Sequence, residues 1–227
     1  SIFFGKKIGE LVVHEDNLTE IDNILDIATT EGYKYILCRL YNQDTYFIKN
    51  LTSKGFYLTD IGVTWQINIK KVFFEINNSL KKFIITASEE HIPELKRLVK
   101  SLFKDSRFYS DPFFSKEQAD RFFETWIENS VKGDAADIVF YCPEKGFISC
   151  KKEERIGRIV LVGVVQKWQG KGIGKALVKK AIEWFSKEGI ETVRVRTQLK
   201  NINAMNFYPR LGFTIYGYDL VFGMILN

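Results

Sequence analysis

Residues 159–174 read IVLVGVVQKWQGKGIG, and the fold can be worked outward from this stretch. Its first seven residues are apolar, mostly β-branched and unbroken by a polar side chain, which is typical of a strand buried on both faces. Glycines follow at positions 170, 172 and 174, and a helical pattern of apolar residues begins directly after them. A Gly-rich turn at a helix start exposes backbone N–H groups beside the positive end of the helix dipole. The turn is therefore predicted to bind an anion such as a pyrophosphate.

The spacing of these glycines excludes two common phosphate-binding loops. The dinucleotide fingerprint requires G-x-G-x-x-G, and a Walker loop requires a hydroxyl residue after its lysine, whereas Lys175 is followed by Ala176. The residues present instead match Q-x-x-G-x-G, beginning at Gln169. Farther along the chain, residues 201–213 match N-x-x-A-x-x-F-Y-x-x-L-G-F, after a helix and a strand of alternating apolar and basic residues. Together the two motifs, in this order, resemble the GCN5-related N-acetyltransferase (GNAT) superfamily.

The resemblance implies acetyl-CoA as co-substrate and no metal. In this superfamily the strand before the glycine turn splays from its neighbour and pairs with the pantetheine arm, while the turn holds the pyrophosphate. Asn201 matches the residue that holds a pantetheine amide, and Tyr208 matches the catalytic acid. The cofactor-binding residues implied in this way are Leu161, Val162, Gly163, Val164, Val165, Gln169, Gly170, Lys171, Gly172, Ile173, Gly174, Lys175, Asn201 and Phe207.

The chemistry of acyl transfer is consistent with a tyrosine acid. A thiol has a pKa of about 8.5 and tyrosine one of about 10, so Tyr208 can stay protonated until the leaving sulfur develops charge and can then donate. The alternative is that Tyr208 is an ordinary core aromatic. His14 and His91 are the only histidines, and neither is assigned as the base. Water relayed to backbone or carboxylates is an equally good acceptor of the amine's proton.

The whole chain indicates an α/β protein with two units. Residues 1–80 follow the order β-α-β-α-β and are expected to form a smaller domain that serves as a substrate wall or a dimerisation surface. Residues 70–82 are rich in lysine and asparagine and indicate a linker. From Phe83 onward the order is β-α-α-β-β-β-α-β-α-β, which resembles a complete GNAT domain with a mixed, splayed central sheet. The predicted domains are therefore 1–80 and 81–227.

Composition limits the partners and the compartment. The chain has 227 residues, a net charge of +5 and three scattered cysteines, which indicate neither a disulfide framework nor a zinc site. No apolar run reaches membrane-spanning length and the first seven residues do not resemble a signal peptide, so we expect a soluble, cytoplasmic protein without membrane insertion. Lysines crowd residues 167–187. They are compatible with a nucleic-acid surface, but a solvated helix face beside a phosphorylated cofactor explains them without a further partner.

A second resemblance concerns the acceptor. Residues 106–112 read SRFYSDP and residues 126–133 read WIENSVKG, and both are similar to the dTDP-fucosamine N-acetyltransferase family. This resemblance implies a homodimer and a nucleotide-linked amino sugar substrate such as dTDP-4-amino-4,6-dideoxygalactose, used in surface polysaccharide biosynthesis.

Four residues of the first segment have side chains that suit such an acceptor: Arg107, Phe108, Tyr109 and Asp111. Arg107 suits a diphosphate, the two aromatic rings can stack on a base or sugar, and Asp111 can accept from a sugar hydroxyl. Equally, this loop can simply anchor itself on the core. Acetylation of a protein or peptide amine and a non-catalytic acyl-CoA-binding module are the alternative functions.

Overall fold

The structure is a computed structural model that describes residues 5–12, 20–41, 45–71, 80 and 82–226. The strands are β1 (Lys7–Leu11), β2 (Tyr33–Tyr41), β3 (Tyr57–Asn68), β4 (Ile85–Thr86), β5 (Ile138–Cys142), β6 (Gly146–Glu153), β7 (Ile156–Val164), β8 (Thr192–Gln198) and β9 (Thr214–Ile225). The α-helices are α1 (Ile21–Thr30), α2 (Thr45–Ser53), α3 (Ile92–Leu102), α4 (Arg107–Ser110), α5 (Lys116–Lys132), α6 (Ile173–Lys187) and α7 (Ile202–Phe207). Short 3₁₀ turns occupy Ile69–Lys71, Glu89–His91, Gln166–Trp168 and Pro209–Leu211.

Within the described residues, the nine strands form one mixed sheet in the order β1-β2-β9-β3-β8-β7-β6-β5-β4. The pairs β1–β2 and β7–β8 are parallel, and the others are antiparallel. Strand β9 lies between β2 and β3 and pairs with both. The last strand of the chain is therefore inserted between two of the first three. The predicted α/β fold with a mixed sheet is confirmed. The division predicted at residue 80 borders residues outside the described ranges and stays a prediction.

Local sequence accounts for the long helix α5. Ser115 accepts a hydrogen bond from the backbone N–H of Gln118, whose side chain accepts in return from the N–H of Ser115. This reciprocal cap satisfies two of the donors that a helix start leaves unpaired. The helix ends at Gly133, which has a φ of +95°, a left-handed conformation that glycine adopts without a steric penalty. The buried residues of α5 recur three or four positions apart, so one face of the helix packs on the sheet.

Helices cover both faces of the sheet. On one face α3 and α5 pack on β5, β6 and β7 through a core that includes Leu95, Phe123 and Phe147. On the other face α6 packs through Leu177 and Phe185. Helices α1 and α2 cover β2 in a separate cluster. The candidate functional site lies where these layers meet β7 and β8.

Two further findings bear on the sequence predictions. No helix in the described part of the chain is long and apolar enough to cross a membrane. All three cysteines are buried free thiols, Cys38, Cys142 and Cys150. Burial raises the pKa of the Cys38 thiol to about 12, so this residue is poorly suited to act as a thiolate nucleophile at neutral pH.

Candidate active site

A gap opens between β7 and β8. The two strands pair in parallel from Ile156 opposite Thr192 to Ile159 opposite Val195, and they pair no farther. Both strands nevertheless continue, β7 to Val164 and β8 to Gln198. Past Ile159, the backbone of β7 that faces β8 has no strand partner among the described residues, although its other edge pairs with β6. Such a gap offers unpaired N–H and C=O groups to an extended, amide-bearing molecule.

The turn after β7 has the predicted backbone geometry. Gly170 and Gly172 have φ values of +74° and +82°, which favour glycine. Gly172 is the N-cap of α6, so the first N–H groups of that helix are directed at the turn. The side chain of Gln169 donates from Nε2 to the backbone oxygen of Val164 at 3.0 Å. This hydrogen bond fastens the turn to the end of β7.

Positive charge surrounds this turn. The Nζ atom of Lys171 lies 4.6 Å from the ring centroid of Trp168, and that of Lys145 lies 5.1 Å from it. Lys175 follows in the first turn of α6 and is exposed. Two of these lysines were expected from the sequence, whereas Lys145 reaches the turn from the loop between β5 and β6. Together with the helix start they favour a phosphorylated ligand.

Asn201 and Tyr208 lie at the two ends of α7. Asn201 caps this helix, because its Oδ1 accepts from the backbone N–H of Ala204 at 3.0 Å. Tyr208 is only 3% exposed and packs against Trp65 and Phe213 at centroid distances of 6.2 and 5.5 Å. Burial raises the pKa of the Tyr208 phenol above its ordinary value, so the hydroxyl stays protonated at neutral pH.

A cavity of about 430 Å³ lies in the gap and reaches Asn201 and Tyr208. Its wall contains Val160 to Val162 of β7 and Val195 to Gln198 of β8, the edges of the gap. Asn201 and Tyr208 line it from one helical layer, and Phe103, Phe122 and Trp126 line it from the other. The cavity therefore occupies the gap and is lined from both faces of the sheet. Among the described residues no cluster of three or more His, Cys, Asp or Glu side chains is arranged to bind a metal.

The structure brings two of the four predicted acceptor residues to this cavity. Arg107 and Phe108 line it. Tyr109 does not, since its hydroxyl donates to Asp120 at 2.5 Å and its ring stacks on Phe123.

Asp111 is also absent from the cavity wall and is 4% exposed. Its carboxylate accepts from the hydroxyls of Tyr35 and Tyr57, the latter at 2.9 Å, and from the backbone N–H of Phe113 at 3.0 Å. The hydroxyl contact expected for Asp111 is therefore made by protein tyrosines, which attach α4 and its loop to β2 and β3.

A charged cluster in the cavity wall was missed by the sequence analysis. Arg196 donates from Nε and Nη2 to Asp219 at 2.7 Å each, and Nη2 also lies 3.3 Å from Asp60. Arg39 donates from Nη1 to Asp219 at 3.2 Å. These four residues come from β2, β3, β8 and β9, so only the strand order brings them together. The structure also shows why position 62 is a glycine: a Cβ there would lie 2.1 Å from Nη2 of Arg196.

His91 has a structural position. Its Nδ1 accepts from the backbone N–H of Ser88 at 3.0 Å, which completes a cap at the start of the helical segment that leads into α3. It is not among the cavity residues. His14 lies outside the described ranges.

Comparisons with known proteins agree with this geometry. The model of the acetyltransferase (GNAT) family matches residues 99–213. A dTDP-fucosamine acetyltransferase of Escherichia coli O6:H1 is 29% identical over 149 residues, which are 62% of this chain and 62% of the relative. The spore coat polysaccharide biosynthesis protein SpsD of Bacillus subtilis is 31% identical over 120 residues, 52% of this chain and 42% of the relative. The chain thus covers less than two thirds of the length of both relatives.

Solved structures share the fold over most of the chain. A GCN5-related N-acetyltransferase from Sphaerobacter thermophilus has a TM-score of 0.64 and 13% identity, covering 95% of this chain and 73% of that one. A tandem GNAT protein from the clavulanic acid biosynthesis pathway has a TM-score of 0.60 and 10% identity, covering 91% and 69%. At these identities the likeness concerns the fold alone.

Proposed function

The chain belongs to the acetyltransferase (GNAT) family, and on that premise we propose that it transfers an acetyl group from acetyl-CoA to the amine of a nucleotide-linked amino sugar, such as dTDP-4-amino-4,6-dideoxygalactose. The observation that carries the proposal is the cavity in the gap between β7 and β8, which has a buried tyrosine in its wall, together with the glycine turn that follows β7. The name of the Escherichia coli relative supports the sugar.

The donor fits the turn and the gap. We place the pyrophosphate on the N–H groups of residues 169–174, with Lys171 and Lys175 beside it. The pantetheine arm then follows β7 along Leu161 to Val165, whose edge toward β8 is unpaired. Asn201 lies on the opposite side of the cavity and offers its amide to the same arm. Phe207 lies 3.3 Å from the position that a Cβ of Gly174 would take, so helix α7 packs closely against the first turn of α6.

The residues of the chain fit direct acyl transfer. Bound acetyl-CoA supplies a thioester carbonyl and a thiolate leaving group. N–H groups of β7 that face the gap can donate to the carbonyl oxygen as it gains negative charge. Tyr208 holds its proton because burial raises its pKa, and it gives that proton to the sulfur when the C–S bond breaks. The amine forms the new C–N bond and loses its proton to solvent water, and Tyr208 regains a proton from solvent.

The acceptor enters from the side of α3 and α5. Phe108, Phe122 and Trp126 form an apolar wall on which a deoxysugar ring or a base can pack. Arg107, beside them, is the proposed contact of the diphosphate. Tyr109 and Asp111 support this wall from behind through their hydrogen bonds with Asp120, Tyr35 and Tyr57.

The assembly and compartment follow from the same proposal. We expect a homodimer, as in the resemblance drawn from residues 106–112 and 126–133, and a cytoplasmic enzyme, where nucleotide sugars and acetyl-CoA are both made. Light scattering of the purified protein measures its mass in solution, and a monomer at all concentrations contradicts the dimer.

Turnover of acetyl-CoA against a panel of amines tests the function. The panel contains dTDP-linked and UDP-linked amino sugars and lysine-containing peptides, with free CoA followed by a thiol reagent and products by mass spectrometry. We expect acetylated nucleotide sugar and no acetylated peptide. Product from the peptides alone would reject the sugar substrate, and CoA release without any product would reject transferase activity on this panel.

A further inference from the structure

Arg107 lies in the cavity wall, and one nitrogen of its guanidinium has no hydrogen-bonding partner among the described residues. Its Nη1 atom is enclosed and bonds to no described residue. The guanidinium lies over the ring of Phe108 at 4.5 Å from its centroid, an apolar contact that does not use its donors. Burial lowers the pKa of Arg107, and the positive charge of Arg39 lowers it further. An enclosed guanidinium nitrogen without a partner is unfavourable, and an incoming anion would offset that cost.

The carboxylates near Arg107 form their hydrogen bonds with other residues. Asp111 accepts from Tyr35, Tyr57 and the backbone of Phe113. Asp60 contacts Arg196. These contacts leave the hydrogen-bonding capacity of Arg107 for a group that is not part of the described protein.

A second arginine, Arg39 of β2, faces the same cavity. Its side chain is 25% exposed and reaches Asp219 through one nitrogen at 3.2 Å, while Arg196 binds that carboxylate at 2.7 Å through two. An arginine has five N–H donors, so Arg39 keeps most of its donors for a ligand. Arg158, by contrast, also lines the cavity but donates to both oxygens of Glu153, at 2.9 and 2.6 Å.

We propose that Arg107 and Arg39 form one oxyanion site at the acceptor end of the cavity, and that this site binds a phosphate or carboxylate group of the acceptor. The planar, forked donors of two guanidinium groups suit the oxygens of either group. The assignment rests on the proposed function, since it identifies the cavity's ligand as the acceptor. It extends that function by making β2, within residues 1–80, part of the substrate-binding site.

The test measures binding and requires no turnover. The protein, saturated with CoA, is titrated calorimetrically with thymidine 5′-diphosphate, thymidine, inorganic phosphate and acetate. We expect an oxyanion to bind and Arg107→Met and Arg39→Met each to weaken it at least about tenfold. Both residues bind one group, so their effects on affinity are not independent. The fold-loss of affinity in the double variant is therefore expected to be far smaller than the product of the two single fold-losses.

The controls separate this effect from misfolding and from general loss of charge. Arg158→Gln removes a cavity arginine that is held by Glu153, and it is expected to change the affinity less than about twofold. Arg107→Lys keeps the charge without the planar fork and is expected to restore part of the affinity. Circular dichroism checks that each variant is folded.

The outcomes distinguish a phosphate group from a carboxylate group as the ligand. If both substitutions weaken the binding of thymidine 5′-diphosphate and leave that of thymidine and acetate unchanged, the site binds a phosphate group. Acetate bound through both arginines assigns a carboxylate. Folded variants that bind every probe as the wild type does, or a wild type that binds none, overturn the site. If both arginines bind an oxyanion but no nucleotide sugar is acetylated, the site stands and the proposed substrate fails.

Discussion

At the scale of single residues, Tyr208 combines a polar group with an apolar surrounding. Its ring packs with Trp65 and Phe213, and its edge lines the cavity beside the gap. Burial alone accounts for its raised pKa. The same packing that stabilises the core therefore keeps a proton donor in its neutral form.

Replacing Tyr208 by Phe tests the acid. Phe keeps the ring packing and removes the proton donor, so we expect turnover to fall about 10²-fold or more while the KM for acetyl-CoA changes little. Steady-state rates measure this, with circular dichroism as the check on folding. A folded Tyr208→Phe protein with wild-type turnover would exclude Tyr208 as the acid.

The raised pKa of Tyr208 also predicts how stability depends on pH. The unfolded tyrosine ionises at about pH 10, whereas the folded one keeps its proton to higher pH. Above about pH 10 the folded state thus binds more protons than the unfolded state, and the free energy of unfolding falls as pH rises. Below that pH this contribution is fully present.

Urea titrations between pH 8 and 11 measure this effect. Removing the phenol should make the alkaline decline shallower, by up to about 1.4 kcal/mol per pH unit for one proton. Parallel declines in the wild type and Tyr208→Phe would contradict the linkage.

Single residues also mark where sequence reasoning succeeds and where it stops. Asn201 and Tyr208 belong to a local motif, and the resemblance of that motif to the GNAT superfamily implied that both would lie at the cofactor site. Asp111 could not be assigned in this way, because a carboxylate that awaits a sugar and one that binds Tyr35 and Tyr57 look alike in the sequence. No local pattern in the sequence indicated that Arg39 lines the cavity, because its position there depends on the order of the strands in the sheet.

At the scale of elements, the turn between β7 and α6 depends on side-chain as well as backbone geometry. The glycines provide the conformation, but Gln169 holds the turn against Val164. The sequence motif includes this glutamine without giving its role. In the structure, Gln169 fixes the turn to the end of β7 through its hydrogen bond to Val164.

Replacing Gln169 by Ala tests that role. Loss of one hydrogen bond, worth about 1 kcal/mol, is expected to raise the KM for acetyl-CoA about fivefold and to leave the KM for the acceptor unchanged. Gln166→Ala is the matched control, because Gln166 is exposed in the same loop. Equal effects of the two substitutions would show that the hydrogen bond to Val164 does not shape the donor site.

Helix caps and sheet order differ in how far they could be predicted. The start of α5 at Ser115 and its end at Gly133 depend on contacts within a few residues, and both were predictable. The position of β9 between β2 and β3 depends on pairings such as Leu37 with Gly223, which no local pattern encodes. The charged cluster of the cavity wall was therefore invisible until the sheet was known.

At the scale of the whole molecule, β9 ties the two halves of the chain together. It exchanges hydrogen bonds with β2 on one side and β3 on the other. Removing it would take the buried side chains of Val221 and Phe222 out of the core and would expose the edges of β2 and β3. The predicted domains 1–80 and 81–227 are thus expected to be interdependent in stability.

Separate expression of these two segments tests this dependence. We expect residues 1–80 alone to lack a cooperative unfolding transition, because β2 and β3 lose the strand between them. Mixing the two segments is expected to restore protease resistance, which limited proteolysis and circular dichroism can follow. A segment of residues 1–80 that unfolds cooperatively by itself would establish an independent domain.

The place of β9 also sets an order of events during translation. Strands β2 and β3 leave the ribosome long before residues 214–225, so their adjoining edges stay unoccupied while the intervening chain is being made. Nascent protein in this interval exposes edges that can join another chain, a situation in which chaperones that shield hydrophobic segments are useful. The part of the cavity wall in which Arg39 and Arg196 both bond to Asp219 comes into being only when that late strand arrives.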